Sequence, residues 1–297
     1  MEDMEKSISP EGEKGIETKV ILEFMRHSEK ESDKTKTDEE VRLTEKGRKM
    51  AQERGESLEP QKEVSLAWGS PKQRTQETAL HVMLPEIDEN TTLEEMKEII
   101  AREQKIGGKI KEDLRLNFDV SGPEGEELME AAKAGEYLQY LFEKSDQRAI
   151  ELKDRVSSSY TRYAGNIAEI VSRYTKVGNN FNRIASQKED YEEFGNQLER
   201  YLTTHQGVVE GFLAKVLEEK EGVEKRDEFI KAVGGGFKEL HGIHVEIVNN
   251  GSEQKIRIDY SMNGEAQSVE IDRELLEKII KDRADFEERI DPKENEE

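Results

Sequence analysis

Two stretches of this chain share one order of parts: a short apolar run, a polar loop, and an amphipathic segment opened by a helix-capping signal. The first is TKVILEFMR (18–26), partly β-branched and of strand length, followed by SEKESDKTKTDEEVR (28–42) and LTEKGRKMAQERGESL (43–58). Thr44 is placed to cap a helix there, and Leu43, Met50, Ala51 and Leu58 keep approximate helical spacing. The second is EVSLAWG (63–69), then SPKQRTQETALHVML (70–84), with Ser70 as the expected N-cap and Pro71 in the first turn. Two consecutive strand-then-helix units require a crossover, which favours a parallel sheet with helices on its faces.

The rest of the chain extends this frame. Between about 92 and 200 the segments are long, charged and helical in period; IELKDRVSSSYTRYAGNIAEIVSRYTKV (150–177) is the clearest. Its Leu152, Val156, Tyr160, Tyr163, Ile167, Ile170 and Tyr174 are separated by steps of three or four, which predicts one continuous stripe for packing between helices. YLTTHQGVVEGFLAKVLEEK (201–220) reads as a third strand-to-helix transition, although Leu198 to Leu202 could equally extend a preceding helix. IHVEIVNNGSEQKIRIDYSMNGEAQSVEI (243–271) alternates apolar and polar residues around two Asn-Gly pairs, the pattern of a β-meander. A helix over roughly 273–286 closes the fold. The predicted class is therefore α/β: a three-layer α/β/α domain spanning 18–286, with a mainly parallel central sheet, a helical cap inserted at about 92–200, and a C-terminal meander. Residues 1–17 and 287–297 are charged and expected to be disordered.

Composition narrows the function classes. Lys and Arg total 46 against 68 Asp and Glu, a formal charge of −22, which disfavours general affinity for nucleic acid or anionic membrane. The absence of cysteine removes disulfides, zinc-thiolate sites and thiol nucleophiles. No apolar run reaches the ~18 residues needed to span a bilayer, so the chain reads as soluble and cytoplasmic.

In open α/β sheets, ligands bind beyond the carboxyl ends of parallel strands. Arg26 and His27 follow the first strand, Arg74 lies in the first turn after the second, and His205 follows the third. Arginine offers a planar fork of donors matched to phosphate oxygens, and a neutral imidazole can attack phosphorus near pH 7. Together these four groups suggest an anion pocket within an acidic protein.

The motifs MRHSEK, LTEKGRKMA, SPKQRTQETA and TTHQGVVEGFL, in that order, resemble those of the histidine phosphatase superfamily, the phosphoglycerate-mutase-like fold. The resemblance implies a phosphomonoesterase acting on a small phosphorylated substrate without metal or cofactor. His27 would be the nucleophile that becomes phosphohistidine, and Arg26, Arg74 and His205 would clamp the phosphoryl oxygens. Ser28 stands where a glycine commonly follows the histidine. Gln206 stands where the acid-phosphatase branch has an aspartate donor, which disfavours that branch. The other branch takes its proton donor from a glutamate shortly after a leucine, and IKEDLRLNFDVSGPEGEEL (110–128) offers no carboxylate at that offset. Asp119, Asp113, Glu112 and Glu124 are the candidates, with Asp119 put forward as the catalytic carboxylate beside His27 and His205. His81, His241 and His244 are expected to be structural or solvated, and Trp68 to pack. Three alternatives stay open: a mutase, a degenerate protein that binds phosphorylated ligands, and a helical interaction protein forming a homo-oligomer through its insert.

Overall fold

The computed structural model describes residues 16–33, 35–103, 111–186, 189–251 and 253–291; most of both expected disordered termini lies outside them. The first strand–helix units form as their sequences dictate. Strand β1 (Thr18–Arg26) leads to helix α1 (Glu45–Leu58), whose Gly47 N–H is capped by the Thr44 hydroxyl at 2.9 Å. Strand β2 (Ser65–Gly69) leads to α2 (Gln73–Met83). Helix α2 starts later than the Ser70 signal indicated: residue 72 flanks the helix without a side-chain cap, and the Ser70 hydroxyl accepts the Lys72 N–H instead (3.2 Å). Such a local serine turn competes with helix initiation.

The region between β2 and the third long strand holds α3 (Leu93–Glu103), the two-residue strand β3 (Lys111–Glu112), α4 (Gly125–Ala134), α5 (Tyr137–Tyr140), α6 (Asp146–Leu152) and α7 (Tyr160–Ala185). The expected stripe from 152 to 174 is interrupted. Lys153 adopts a left-handed conformation (φ 52°), and the Asp154 carboxylate accepts the N–H groups of Val156 (2.7 Å) and Ser157 (2.8 Å). Backbone donors satisfied this way cannot continue a helix, so Val156 is left half-exposed and the stripe begins at Tyr160. From there Tyr160, Tyr163, Ile167, Ile170 and Tyr174 are buried in the main core of this same chain, with α7 lying over β1 and β5. Helix α7 is thus a layer of the domain, and the apolar face that suggested self-association is covered internally.

Strand β4 (Gln197–Thr204) settles the ambiguity at Leu198–Leu202 in favour of a strand, and runs into α8 (Val208–Glu221) and α9 (Val223–Val233). Strands β5 (Gly242–Asn249), β6 (Gln254–Met262) and β7 (Glu265–Ile271) form the meander. The β6–β7 turn places Asn263 (φ 55°) and Gly264 (φ 81°) in the left-handed region, as an Asn-Gly hairpin requires. Helix α10 (Arg273–Ile290) runs four residues past the expected end and packs on α7.

The sheet order among the described residues is β3-β2-β4-β1-β5-β6-β7. The strands from β3 to β1 are mutually parallel, whereas β1 meets β5 antiparallel and the meander continues that way. The sheet is therefore mixed, with its parallel half confined to the strands joined by crossovers. One face carries Val20, Leu22, Phe24 and Leu202 against α7 and α8; the other carries Met25, Ala67 and Tyr201 against α1, α2 and α3. Alternate residues of one strand thus feed two cores, which makes three layers. No helix among the described residues is long and apolar enough to cross a membrane.

Candidate active site

Strands β1, β4 and β2 end at the same edge of the sheet. Arg26 pairs with Thr204 and Gly69 with Thr203, so the residues that follow, His27, His205 and Ser70, leave the sheet side by side. The His27 N–H donates to the Thr204 carbonyl at 2.9 Å, continuing the ladder one step beyond β1. The two imidazoles lie edge to face, ring centroids 5.3 Å apart and planes at 68°.

The tautomer of His27 follows from its partner. Its Nδ1 is 2.7 Å from the Ser28 carbonyl oxygen, which can only accept, so Nδ1 carries the proton and the lone pair is on Nε2. Ser28 is itself held by its hydroxyl donating to the Gly47 carbonyl (2.7 Å) and by its N–H donating to the Thr78 hydroxyl (3.1 Å). Burial, then the charges of Arg74 and Arg26, push the His27 pKa down to about 3, against the opposing Ser28 bond. At neutral pH the ring is therefore uncharged.

His205 is oriented by hydroxyls. Its Nε2 lies 2.9 Å from Ser70 Oγ, which lies 3.0 Å from Thr75 Oγ1, and the Thr75 hydroxyl donates to the Lys72 carbonyl at 2.7 Å. With the Thr75 proton committed to that carbonyl, the Ser70 proton goes to Thr75 and Ser70 accepts from His205. The neutral ring therefore bears its proton on Nε2 and a lone pair on Nδ1. Burial, then His27 and the neighbouring cations, hold its pKa well below the usual value.

Both arginines lie near enough to His27 for their charges to act on it, and Arg74 acts on His205 as well. Arg26 donates through Nη1 to the Phe237 carbonyl (3.0 Å), and Arg74 donates through Nη1 to the Asp38 carbonyl (2.7 Å) and through Nη2 to its carboxylate (3.2 Å). Each keeps a buried Nε–H with no hydrogen-bond partner. Lys72 also contacts the Asp38 carboxylate, and Lys30 Nζ is 3.9 Å from it. Four cations thus gather where the chain as a whole is strongly acidic.

The four candidate carboxylates sit differently. Asp113 caps a 3₁₀ turn, Leu114–Leu116, and pairs with Arg115 (2.7 Å). Glu112 is exposed and accepts from Gln76 (3.1 Å). Asp119 accepts the Ser121 N–H (2.9 Å) and hydroxyl (2.6 Å). Glu124 is fully buried, and burial pushes it up to about 7. None of the four forms a described hydrogen bond with either imidazole. Their segment does reach the site: the Thr204 hydroxyl donates to the Leu116 carbonyl (2.6 Å), and the Phe118 ring is 6.4 Å from that of His205. Among the other histidines, His81 is buried without a partner, and His244 Nδ1 is 2.5 Å from Glu23.

Several participants gave no distinguishing sequence signal. Asp38 is one acid among several in a polar loop. Glu210, buried in the first turn of α8, accepts the N–H groups of Gly207 (2.9 Å) and Phe237 (2.8 Å), tying the His205 turn to the peptide that holds Arg26. A buried glutamate one turn into an apolar helix is the only hint of it in the sequence.

Residues 22–133 match the model of the histidine phosphatase superfamily (branch 1). No curated protein matches the chain in sequence. Among solved structures, the chain is similar to a mycobacterial glucosyl-3-phosphoglycerate phosphatase at 14% identity and TM-score 0.43, covering 84% of this chain and 100% of that one. It is similar to phosphoglycerate mutase from Bacillus anthracis at 16% identity and TM-score 0.37, covering 89% and 98%. A phosphoserine phosphatase mutant from Entamoeba histolytica is similar at 12% identity and TM-score 0.40, covering 83% and 96%.

Proposed function

We propose, from the match of residues 22–133 to the model of the histidine phosphatase superfamily, that the protein is a member of that superfamily and hydrolyses phosphomonoesters through a phosphohistidine on His27. The observation that carries this reading is the neutral His27 ring, its Nε2 lone pair free of described partners, 5.3 Å from the His205 ring and under the charges of two arginines with unpaired Nε–H donors. In the first step Nε2 attacks phosphorus, the N–P bond forms, and the P–O bond to the leaving alcohol breaks. Arg26 and Arg74 donate to the non-bridging oxygens. An incoming phosphoryl dianion supplies the negative charge that favours a second proton on His205, whose Nδ1 then donates as well. Water attacks the phosphohistidine in the second step, releasing inorganic phosphate and restoring the ring.

The leaving alkoxide needs a proton, an effect worth ~10²–10⁴ in rate. Asp119 and Glu124 are the carboxyl groups proposed to supply it. Glu124 suits that role in acidity, since a pKa of about 7 keeps much of it protonated near neutrality. Asp119→Asn and Glu124→Gln, assayed on an alkyl phosphate and on an aryl phosphate with a good leaving group, separate the two: loss confined to the alkyl ester marks the donor.

The test of the reading itself is direct. Protein quenched during turnover of p-nitrophenyl phosphate should carry one acid-labile, alkali-stable phosphoryl group on His27, absent from His27→Ala. A folded protein that hydrolyses no ester in a broad panel and gains no phosphoryl group sinks it. Phosphate-dependent thermal stabilisation without turnover would select the second reading, a binding protein for phosphorylated ligands, which is favoured by the lack of any described carboxylate contact to the imidazoles.

A further inference from the structure

The loop between β1 and α1 is built as a closed flap. Its base is pinned by an antiparallel bridge between Lys30 and Leu43 and by the Glu31 N–H donating to the Arg42 carbonyl at 2.9 Å. Its far end is tied by Thr37, whose N–H (2.9 Å) and hydroxyl (2.8 Å) donate to the Glu40 carboxylate. Between these ties the loop docks on the start of α2, where the Glu39 carbonyl accepts the Gln73 N–H at 3.1 Å. That docking places Asp38 against Arg74.

The contacts divide the guanidinium. Arg74 Nη1 donates to the Asp38 carbonyl (2.7 Å) and faces its carboxylate (3.0 Å), while Nη2 donates to the same carboxylate (3.2 Å). Asp38 therefore holds the terminal edge of the fork. A guanidinium has five N–H donors in a fixed plane, so the Nε–H and one Nη2 hydrogen are left on the lateral edge. Arg74 is 3% exposed, and its Nε–H has no partner. A buried unpaired donor is costly, and a phosphoryl oxygen would satisfy it.

We propose that Asp38 is a positioning residue for the phosphoryl site, fixing Arg74 by one edge so that the other edge faces the oxyanion beside His27. The proposal rests on the phosphatase reading above. It also explains why the Asp38 carboxylate stands among Arg74, Lys72 and Lys30: it keeps these cations in place against their mutual repulsion. Bonds from Lys72 and Arg74 outweigh the effect of burial and hold its pKa at about 2, so it stays ionised at any working pH.

Two physical effects predict opposite signs, which makes the test decisive. Removing a negative charge beside the cations should, by Coulomb's law alone, tighten anion binding. Loss of positioning should weaken it, since a displacement of about 1 Å can cost ~10²-fold. The affinity of the full-length protein for inorganic phosphate and tungstate is to be measured calorimetrically for wild type, Asp38→Ala and Asp38→Asn, with kcat and KM on p-nitrophenyl phosphate. The expected result is a loss of about 10-fold or more in anion affinity for Asp38→Ala, with KM raised more than kcat is lowered. Asp38→Asn keeps an oxygen acceptor for Arg74 and should recover most of the loss; it also serves if the alanine variant does not fold. Equal or tighter binding by a folded Asp38→Ala protein, or binding by Asp38→Asn that is tighter than wild type or no better than that of the alanine variant, overturns the proposal while leaving the phosphatase reading intact. A folded wild type that binds neither anion overturns both.

Discussion

Gly47→Ala should damage the site from the far side of a helix. Gly47 lies in α1, and a Cβ built there would overlap the Glu29 carbonyl oxygen and stand 3.0 Å from its carbon and 3.2 Å from the Glu29 nitrogen. These are backbone atoms two residues after His27, so no flexible side chain can yield. The neighbourhood is further tied by the Ser28 hydroxyl on the Gly47 carbonyl (2.7 Å) and by the Thr44 N–H on the Glu29 carbonyl (3.1 Å). Overpacking of this kind costs ~1–3 kcal/mol, while replacing glycine by alanine inside a helix returns ~0.8–1 kcal/mol. Because the clash is with main chain, the upper part of the first range applies and the net loss is about 1–2 kcal/mol. Relief requires α1 and the loop after His27 to separate, carrying the Ser28 carbonyl that fixes the His27 tautomer. A shift of that size lowers kcat/KM by up to ~10². Gly55→Ala is the matched control: its Cβ would overlap the Val82 carbonyl oxygen and stand 3.0 Å from that carbon, at the α1–α2 contact. Urea unfolding should show similar losses for both variants, whereas p-nitrophenyl phosphate turnover should fall only for Gly47→Ala. Equal activity in the two folded variants, or a Gly47→Ala protein more stable than wild type, would refute the reasoning.

Two further outcomes concern pH. The bond to Glu23 raises the pKa of His244 above its ordinary value, so the pair stabilises the β1–β5 contact fully below about pH 6.5 and loses its contribution as pH rises through the folded value. Urea unfolding of His244→Gln should therefore show a deficit, about 1 kcal/mol at most, at pH 6 that shrinks by pH 8; a deficit that grows with pH contradicts this. His81 behaves in the opposite sense: burial, then Arg48 and Arg42, lower its pKa to about 4. Between pH 6.5 and 4 the unfolded chain binds a proton that the folded chain refuses, so stability falls on acidification across that window. His81→Leu removes two unpaired buried nitrogens and should flatten that fall, as read by melting temperature between pH 4 and 7; an unchanged slope would assign the acid sensitivity to other groups.

The strand–helix units were legible because each couples a local signal to a matching tertiary need. Thr44 caps α1 as its spacing indicates, and the Asn263-Gly264 pair makes the hairpin that its φ preferences allow. The readings that missed did so where a polar side chain had two possible partners. Ser70 is an ordinary N-cap by sequence, yet its hydroxyl goes to His205, a residue 135 positions away. Asp154 breaks a stripe that periodicity alone would continue through Val156. The order of β4, between β1 and β2, came from no local pattern, yet it brings His205 beside His27.

The order of apolar runs and capping residues determined that this chain would form crossover units ending in Arg26-His27, Arg74 and His205, because strand and helix periods are properties of neighbouring residues. Tertiary structure alone decided which protons those groups carry and which donors stay free. Those depend on carbonyls, hydroxyls and one carboxylate brought together from distant segments, in a buried setting where charge is costly and each polar atom needs a specific partner.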